Sequence, residues 1–131
     1  MTTDTPDQIQ HHELVLDERR REAMENVATS LRDSMGGRDF KSVTLNVTRT
    51  EDGSISELVS VTDQYGGVVV EEPSAKVHEH ILWARVCLRL PDTTSFETLV
   101  CTITAGDGED KVHVAPTYPA GYKVQFVIPT A

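Results

Sequence analysis

Long apolar runs are missing from this chain of 131 residues. No segment approaches the ~18 consecutive apolar residues of a membrane-spanning helix, which argues against a transmembrane segment. The N-terminus MTTDTPDQIQ lacks the basic start and the apolar centre of a signal peptide, so we expect a soluble, cytoplasmic protein. Cysteine is also scarce. Without a secretory signal, Cys87 and Cys101 are expected to be buried thiols rather than a disulfide.

Basic residues are in deficit, with 12 Lys and Arg against 21 Asp and Glu, which gives a formal net charge of −9. The resulting negative potential repels nucleic acid and anionic membranes and favours basic protein partners. The same acidic surface also maintains solubility without any partner. Composition therefore predicts a protein that binds neither nucleic acid nor membrane.

Catalytic and metal-binding signatures are absent too. No serine lies in a nucleophile elbow, and no glycine pair has the spacing of a phosphate-binding loop. His78 and His80 have H-x-H spacing, but on a helix they lie about 200° apart and cannot share one ion. We expect no cofactor, no metal and no catalysis. One catalytic alternative stays open, a small hydrolase that pairs Cys101 with His113 across a hairpin, where opposed side chains come within about 5 Å.

The chain does contain the patterning of a single α+β domain over residues 13–131, after a polar and aperiodic lead-in over 1–12 that is predicted to be disordered. Apolar spacing predicts an amphipathic helix over 13–35 that ends at Gly36. Alternation predicts strands at 42–48, 55–62, 68–70, 96–104, 111–115 and 122–128, with a second helix from 74 to about 90. The order α-β-β-β-α-β-β-β predicts an antiparallel sheet of five to six strands with two helices packed on it.

The most informative segment is ILWARVCLRL, residues 81–90, whose only polar side chains are Arg85 and Arg89. On a helix, their spacing places both guanidinium groups on one stripe, with His78 a further turn back. Since the rest of the cylinder is apolar, we expect other elements to cover it, although 86–90 also alternates like a strand. The arginines either pair with the chain's own acids or bind a partner's carboxylates. Our candidate partner-binding residues are His78, Trp83, Arg85 and Arg89.

Two segments, SAKVHEHILWARVCLRL and FETLVCTITAGDGEDKVHV, place a mid-chain helix before a β-hairpin. Together with the length and acidity of the chain, they resemble the small cytoplasmic immunity proteins of bacterial polymorphic-toxin systems. Phe96 and residues 106–111 approximate the tryptophan and the Gly-Lys turn that this family often carries. The resemblance implies a non-catalytic protein that neutralises a toxin by binding it.

The predicted element order also resembles that of the acidic type III secretion chaperones, which is α-β-β-β-α-β-β-α. The chain departs from that order over 122–128, which alternates like a strand where the family has a helix. This resemblance implies a homodimer that buries Trp83 between second helices and binds an exported protein. Both resemblances imply a protein partner, and they leave open whether the chain is a monomer or a homodimer.

Overall fold

The computed structural model describes residues 9–129 and has an α+β fold, as the sequence predicts. The elements in chain order are β1 (Gln10–Val15), α1 (Glu18–Met35), β2 (Ser42–Arg49), β3 (Ile55–Thr62), β4 (Val68–Glu71), α2 (Ala75–Cys87), β5 (Thr98–Thr104), β6 (Lys111–Thr117) and β7 (Tyr122–Val127). The two predicted helices are confirmed, and each predicted strand has a counterpart.

Five strands form one antiparallel sheet in the order β4-β3-β2-β5-β6. In the central strand, Val43 lies opposite Val61 of β3 and Ile103 of β5. Because side chains alternate along a strand, one face of the sheet is apolar and packs on both helices. The buried residues of that face are Val43, Leu45, Val47, Val59, Val61, Leu99, Cys101 and Ile103.

Both helices begin at a capping side chain. The Asp17 carboxylate accepts a hydrogen bond from the Arg20 backbone N–H at 2.9 Å, and the Ser74 hydroxyl accepts one from Val77 at 3.3 Å. α1 ends at Gly36, whose φ of 58° is a conformation that glycine adopts without strain. The buried side of α2 contains Val77, Ile81, Ala84 and Cys87, and it packs against α1 over the sheet.

The N-terminal boundary differs from the prediction. The sequence predicts a disordered lead-in over 1–12 and a helix from 13, but residues 10–15 form β1, and α1 begins only at Glu18. β1 pairs in parallel with β7, with Gln10 opposite Tyr122, and these two strands form a separate sheet. Since the pairing partner lies at the other end of the chain, no local pattern indicates this strand. Residues 1–8 of the lead-in and 130–131 of the predicted domain lie outside the described residues.

The end of α2 also differs from both predicted alternatives, a helix to residue 90 or a strand over 86–90. The helix ends at Cys87, and Leu88 is its C-cap, donating its backbone N–H to Ala84 at 2.9 Å. Leu88 and Leu90 belong to the following loop, yet both are buried. The alternating pattern therefore marks a helix C-cap and the loop after it, which place Leu88 and Leu90 in the core.

Candidate functional site

One side of α2 is uncovered. Leu82, Trp83 and Val86 are 43%, 49% and 43% exposed, and their spacing places them along one side of the helix. We call these three residues the α2 ridge. The sequence predicts that other elements cover the whole apolar cylinder, but α1 and the sheet cover only the opposite side. Large apolar side chains grouped at the surface are typical of interaction sites.

Arg85 and Arg89 border this ridge at its C-terminal end. Arg85 donates from Nη2 to the backbone carbonyl of Gly53 in the turn between β2 and β3, at 2.8 Å. Arg89 follows the end of the helix, so the single helical stripe predicted for the two arginines is not formed. Both nevertheless line one shallow depression of about 500 Å³ next to Leu82 and Val86. The depression thus combines an apolar wall with two guanidinium groups.

A third arginine lies on the other flank of the ridge. The guanidinium carbon of Arg19, in the first turn of α1, is 5.9 Å from the centroid of the Trp83 ring. An arginine over an exposed tryptophan is stabilised by about 0.5–1 kcal/mol. The contact restrains the Trp83 side chain and adds a positive charge beside it.

The arginines around the ridge form no ion pair with the acids that the structure describes. Within residues 9–129, none of Arg19, Arg85 and Arg89 lies within 4.0 Å of a carboxylate, and the salt bridges that do form involve other residues. Among the acids of residues 9–129, the first sequence alternative, in which Arg85 and Arg89 pair with the chain's own acids, is therefore not found. Arg85 has a structural contact through Gly53, whereas Arg89 is exposed.

His78 lies to the side of the ridge and contacts the sheet. Its Nδ1 is 2.5 Å from Oε2 of Glu57 on β3. Glu57 lies on the same face as the buried valines. Its side chain is only 10% exposed, and its buried Oε1 has no hydrogen-bond partner among residues 9–129. The contact gives this enclosed carboxylate a hydrogen-bond donor and joins α2 to the sheet. It assigns a structural role to His78, one of the predicted partner-binding residues.

The predicted catalytic pair is not formed. Cys101 lies opposite Val114 and His113 lies opposite Thr102, so the thiol and the imidazole point to opposite faces of the sheet. Burial raises the pKa of the Cys101 thiol to about 11, which disfavours the reactive thiolate. The hydrolase alternative built on Cys101 and His113 is therefore wrong in its geometry.

Residues 9–129 contain neither a cluster of metal-ligating side chains nor a helix able to span a membrane. No group of three or more His, Cys, Asp and Glu side chains is placed there to hold a metal ion. Neither α1 nor α2 is long and apolar enough to cross a membrane.

No protein-family model and no curated protein matches this chain. The functional proposal therefore depends on the surface chemistry of the α2 ridge.

The sequence identifies Trp83 as a candidate partner-binding residue, but it does not identify the apolar ridge residues Leu82 and Val86. A helix that is apolar nearly all round gives no sign of which side its own fold covers, so Leu82 and Val86 carry no distinguishing signal. Arg19 lies in the run DERRRE, whose acids and bases predict internal pairing. Arg20 does pair with Asp17 at 3.5 Å, but Arg19 contacts a helix far away in the sequence.

Proposed function

We propose that this chain is a non-catalytic protein-binding domain and that it neutralises a toxin by direct binding, as an immunity-type protein. One observation carries the proposal: the α2 ridge is exposed between Arg19, Arg85 and Arg89, which have no ion-pair partner within residues 9–129. Tryptophan and arginine are enriched among the residues that dominate binding energies at interfaces. Arginine also binds carboxylates through two parallel hydrogen bonds.

The net charge of the chain and the contacts offered by the α2 ridge together indicate the chemistry of the partner. At long range, the net charge of −9 accelerates the approach of a basic protein. At contact, the ridge requires an apolar pocket for Trp83 and carboxylates that accept from Arg19 and Arg89. The proposed partner is therefore a toxin domain that is basic overall and has acidic side chains around the pocket that it presents.

The cytoplasm is the compartment that we propose. Cys87 and Cys101 are buried free thiols. Reduced thiols persist in that compartment, whereas secreted proteins form disulfides.

The test uses the product of the gene next to the one that encodes this chain. Expressed alone in bacterial cells, that product should arrest growth, and co-expression of this chain should restore it. Trp83→Ala and Arg89→Ala should each abolish the rescue because they remove the anchor and its charged neighbour. Tyr65→Ala is the matched control, since Tyr65 is an aromatic residue 97% exposed in the turn before β4.

Circular dichroism and thermal melting must show that each variant is folded as the unmodified chain is. Full rescue by folded Trp83→Ala would refute the ridge as the binding surface. A neighbouring gene product without toxicity would refute the immunity proposal.

The exposed ridge also favours a second candidate function, a secretion-chaperone-like homodimer that buries Trp83 between two copies of α2. Size exclusion with light scattering separates the two functions. An immunity-type monomer has a mass of 14.5 kDa, and the chaperone-like form has twice that mass. Only a dimer formed through α2 would dissociate on Trp83→Ala substitution. The terminal strand β7 departs from the chaperone order, which has a helix at that place.

A further inference from the structure

The two edges of the main sheet are protected unequally. β6 contains Lys111 and Pro116, a charge and a residue without an N–H, and both oppose the addition of another strand. At the other edge, β4 presents three consecutive valines that are 60%, 54% and 58% exposed, Val68, Val69 and Val70. Within this strand, no proline and no charge precedes Glu71. An apolar edge without such protection readily accepts a further strand.

Backbone N–H and C=O groups of β4 point outward at this edge. In the turn that leads into β4, Asp63 donates its backbone N–H to Gly67 at 2.9 Å. Hydrogen-bonded positions alternate along an antiparallel pair, so Val69 bonds to Val61 of β3. The N–H and C=O groups of Val68 and Val70 consequently point away from β3. Among residues 9–129, no strand pairs with that side of β4.

Of the three acidic side chains within five residues of β4, Glu71 and Asp63 are occupied locally, whereas Glu72 is exposed. Glu71 Oε1 lies 2.7 Å from Nη1 of Arg38. Asp63 Oδ1 accepts hydrogen bonds from the backbone N–H groups of Tyr65 and Gly67, at 2.8 and 2.9 Å. In an antiparallel pairing of two β4 strands centred on Val69, Glu72 lies opposite Gly66 and not opposite another acid, so two chains of net charge −9 place no free carboxylates opposite each other along this edge.

We propose that β4 pairs with β4 of a second copy of this chain, antiparallel about a two-fold axis at Val69. The two five-stranded sheets then join into one continuous sheet. In this register Val68 faces Val70 of the second copy, so that the outward N–H and C=O groups of both residues pair. Val69 faces its own counterpart across the axis, and the three cross-strand valine pairs are of a kind that stabilises sheets. Such an interface is isologous, with the same patch contributed by each copy.

The size of the interface sets the expected affinity. A strand as short as β4 buries less than the ~1,200 Å² of a stable standard interface, so the association is weak and concentration-dependent. The axis lies on β4 and not on α2. This homodimer is consequently independent of the proposed binding function and of the chaperone-like dimer.

Sedimentation velocity of the full chain tests the association between about 10 μM and 1 mM, a range suited to weak interfaces. The mass should rise with concentration from 14.5 kDa towards twice that value. Val69→Lys places two positive charges at the axis and should weaken the association by at least about tenfold. Val112→Lys is the matched control because Val112 is 50% exposed on β6 and, like Val69, lies opposite an apolar residue of the helix-covered face.

The register is tested by single cysteine substitutions, since the native Cys87 and Cys101 are buried. Residues that face each other without hydrogen bonds have Cα atoms about 4.5 Å apart, within the span of a disulfide. Oxidised glutathione should therefore convert Val69→Cys into a covalent dimer, as two thiols lose two protons and two electrons to it. Val68→Cys alone should cross-link more slowly, whereas an equimolar mixture of Val68→Cys and Val70→Cys should cross-link rapidly.

Any of five results would overturn the proposal. One is a constant monomer mass up to 1 mM, and another is equal weakening by Val69→Lys and Val112→Lys. The third is cross-linking of Val69→Cys no faster than that of Val112→Cys. A dimer that Trp83→Ala dissociates and Val69→Lys does not would assign self-association to α2 instead. A monomer that captures another protein's extended strand at β4 would likewise exclude the second copy as its occupant.

Discussion

Replacing His78 with alanine should destabilise the fold through Glu57 rather than through lost packing. The imidazole Nδ1 lies 2.5 Å from Glu57 Oε2, and the other carboxyl oxygen is already buried without a partner in the part of the chain that the structure describes. After His78→Ala, a carboxyl group whose side chain is only 10% exposed has no hydrogen-bond donor among the described residues. The exposed position of His78 lets water enter where the ring was, which limits the loss.

The magnitude follows from the cost of an unsatisfied buried polar group, about 1–3 kcal/mol. Because water reaches Glu57 in the variant, we expect the lower half of that range, about 1–2 kcal/mol of unfolding free energy. Glu57→Leu removes the carboxylate and adds an apolar side chain opposite Val47, which is fully buried. That variant should be at least as stable as the unmodified chain, and adding His78→Ala to it should then cost little.

Urea denaturation followed by the fluorescence of Trp83, the only tryptophan, measures all four members of this double-mutant cycle. His113→Ala serves as the control, since His113 is exposed on the opposite face of the sheet. A neutral His78→Ala would show that the contact contributes nothing. If the double variant keeps the full loss, the imidazole acts by packing and the reasoning from the Glu57 carboxylate fails.

Three further predictions concern Tyr118, Arg20 and the two buried thiols. Tyr118 donates its hydroxyl to the Leu88 carbonyl at 2.6 Å, so Tyr118→Phe should cost about 1 kcal/mol in urea denaturation. Burial raises the pKa of Tyr118 from 10.0 to about 12, which favours the protonated phenol in the folded state. The stabilisation that comes from keeping Tyr118 protonated in the fold is thus complete below pH 10 and is lost as the pH rises to 12. Tyr118→Phe should therefore reduce the loss of stability over this pH range. Arg20 donates to the Cys87 carbonyl at 3.0 Å and to the Val15 carbonyl at 2.8 Å, so Arg20→Ala should lower the unfolding free energy by about 1–3 kcal/mol, whereas the exposed Arg21→Ala should not. Both thiols should react with a disulfide reagent only on unfolding, since Cys87 and Cys101 are buried, and rapid labelling of the native chain would contradict this.

The parts of the fold that the sequence predicts are those with local causes. β2 and β3 alternate clearly and are joined by a short turn at Gly53, and α1 shows its buried side by spacing alone. β1 escapes prediction because its register is defined by β7, and a parallel pair needs no turn between its strands.

The candidate site could be predicted only in part for a related reason. ILWARVCLRL indicates a largely apolar helix, but the exposed side is decided by where α1 and the hairpin of β2 and β3 lie. Arg85 thus binds the Gly53 carbonyl, and Arg19 reaches Trp83, through contacts that no sequence spacing encodes. Conversely, the alternation of Glu57 with Val59 and Val61 in the sequence places an acid on an apolar strand face, whereas only the structure shows that His78 is its partner.

The two proposed surfaces should respond to salt in opposite directions, because one is charged and the other is not. Binding through the α2 ridge depends on guanidinium groups and on the attraction between oppositely charged proteins, which ions screen over the ~10 Å Debye length of 0.1 M salt. We therefore expect the complex with the neighbouring gene product to weaken several-fold between about 50 and 500 mM sodium chloride. Pairing through β4 uses valines and backbone groups, and its main electrostatic cost is the repulsion of two chains of charge −9. Salt reduces that repulsion, so the homodimer should become no weaker and should strengthen slightly. If the homodimer weakened in parallel with the complex, arginine contacts would have to contribute to both, and the separation of the two surfaces would be refuted.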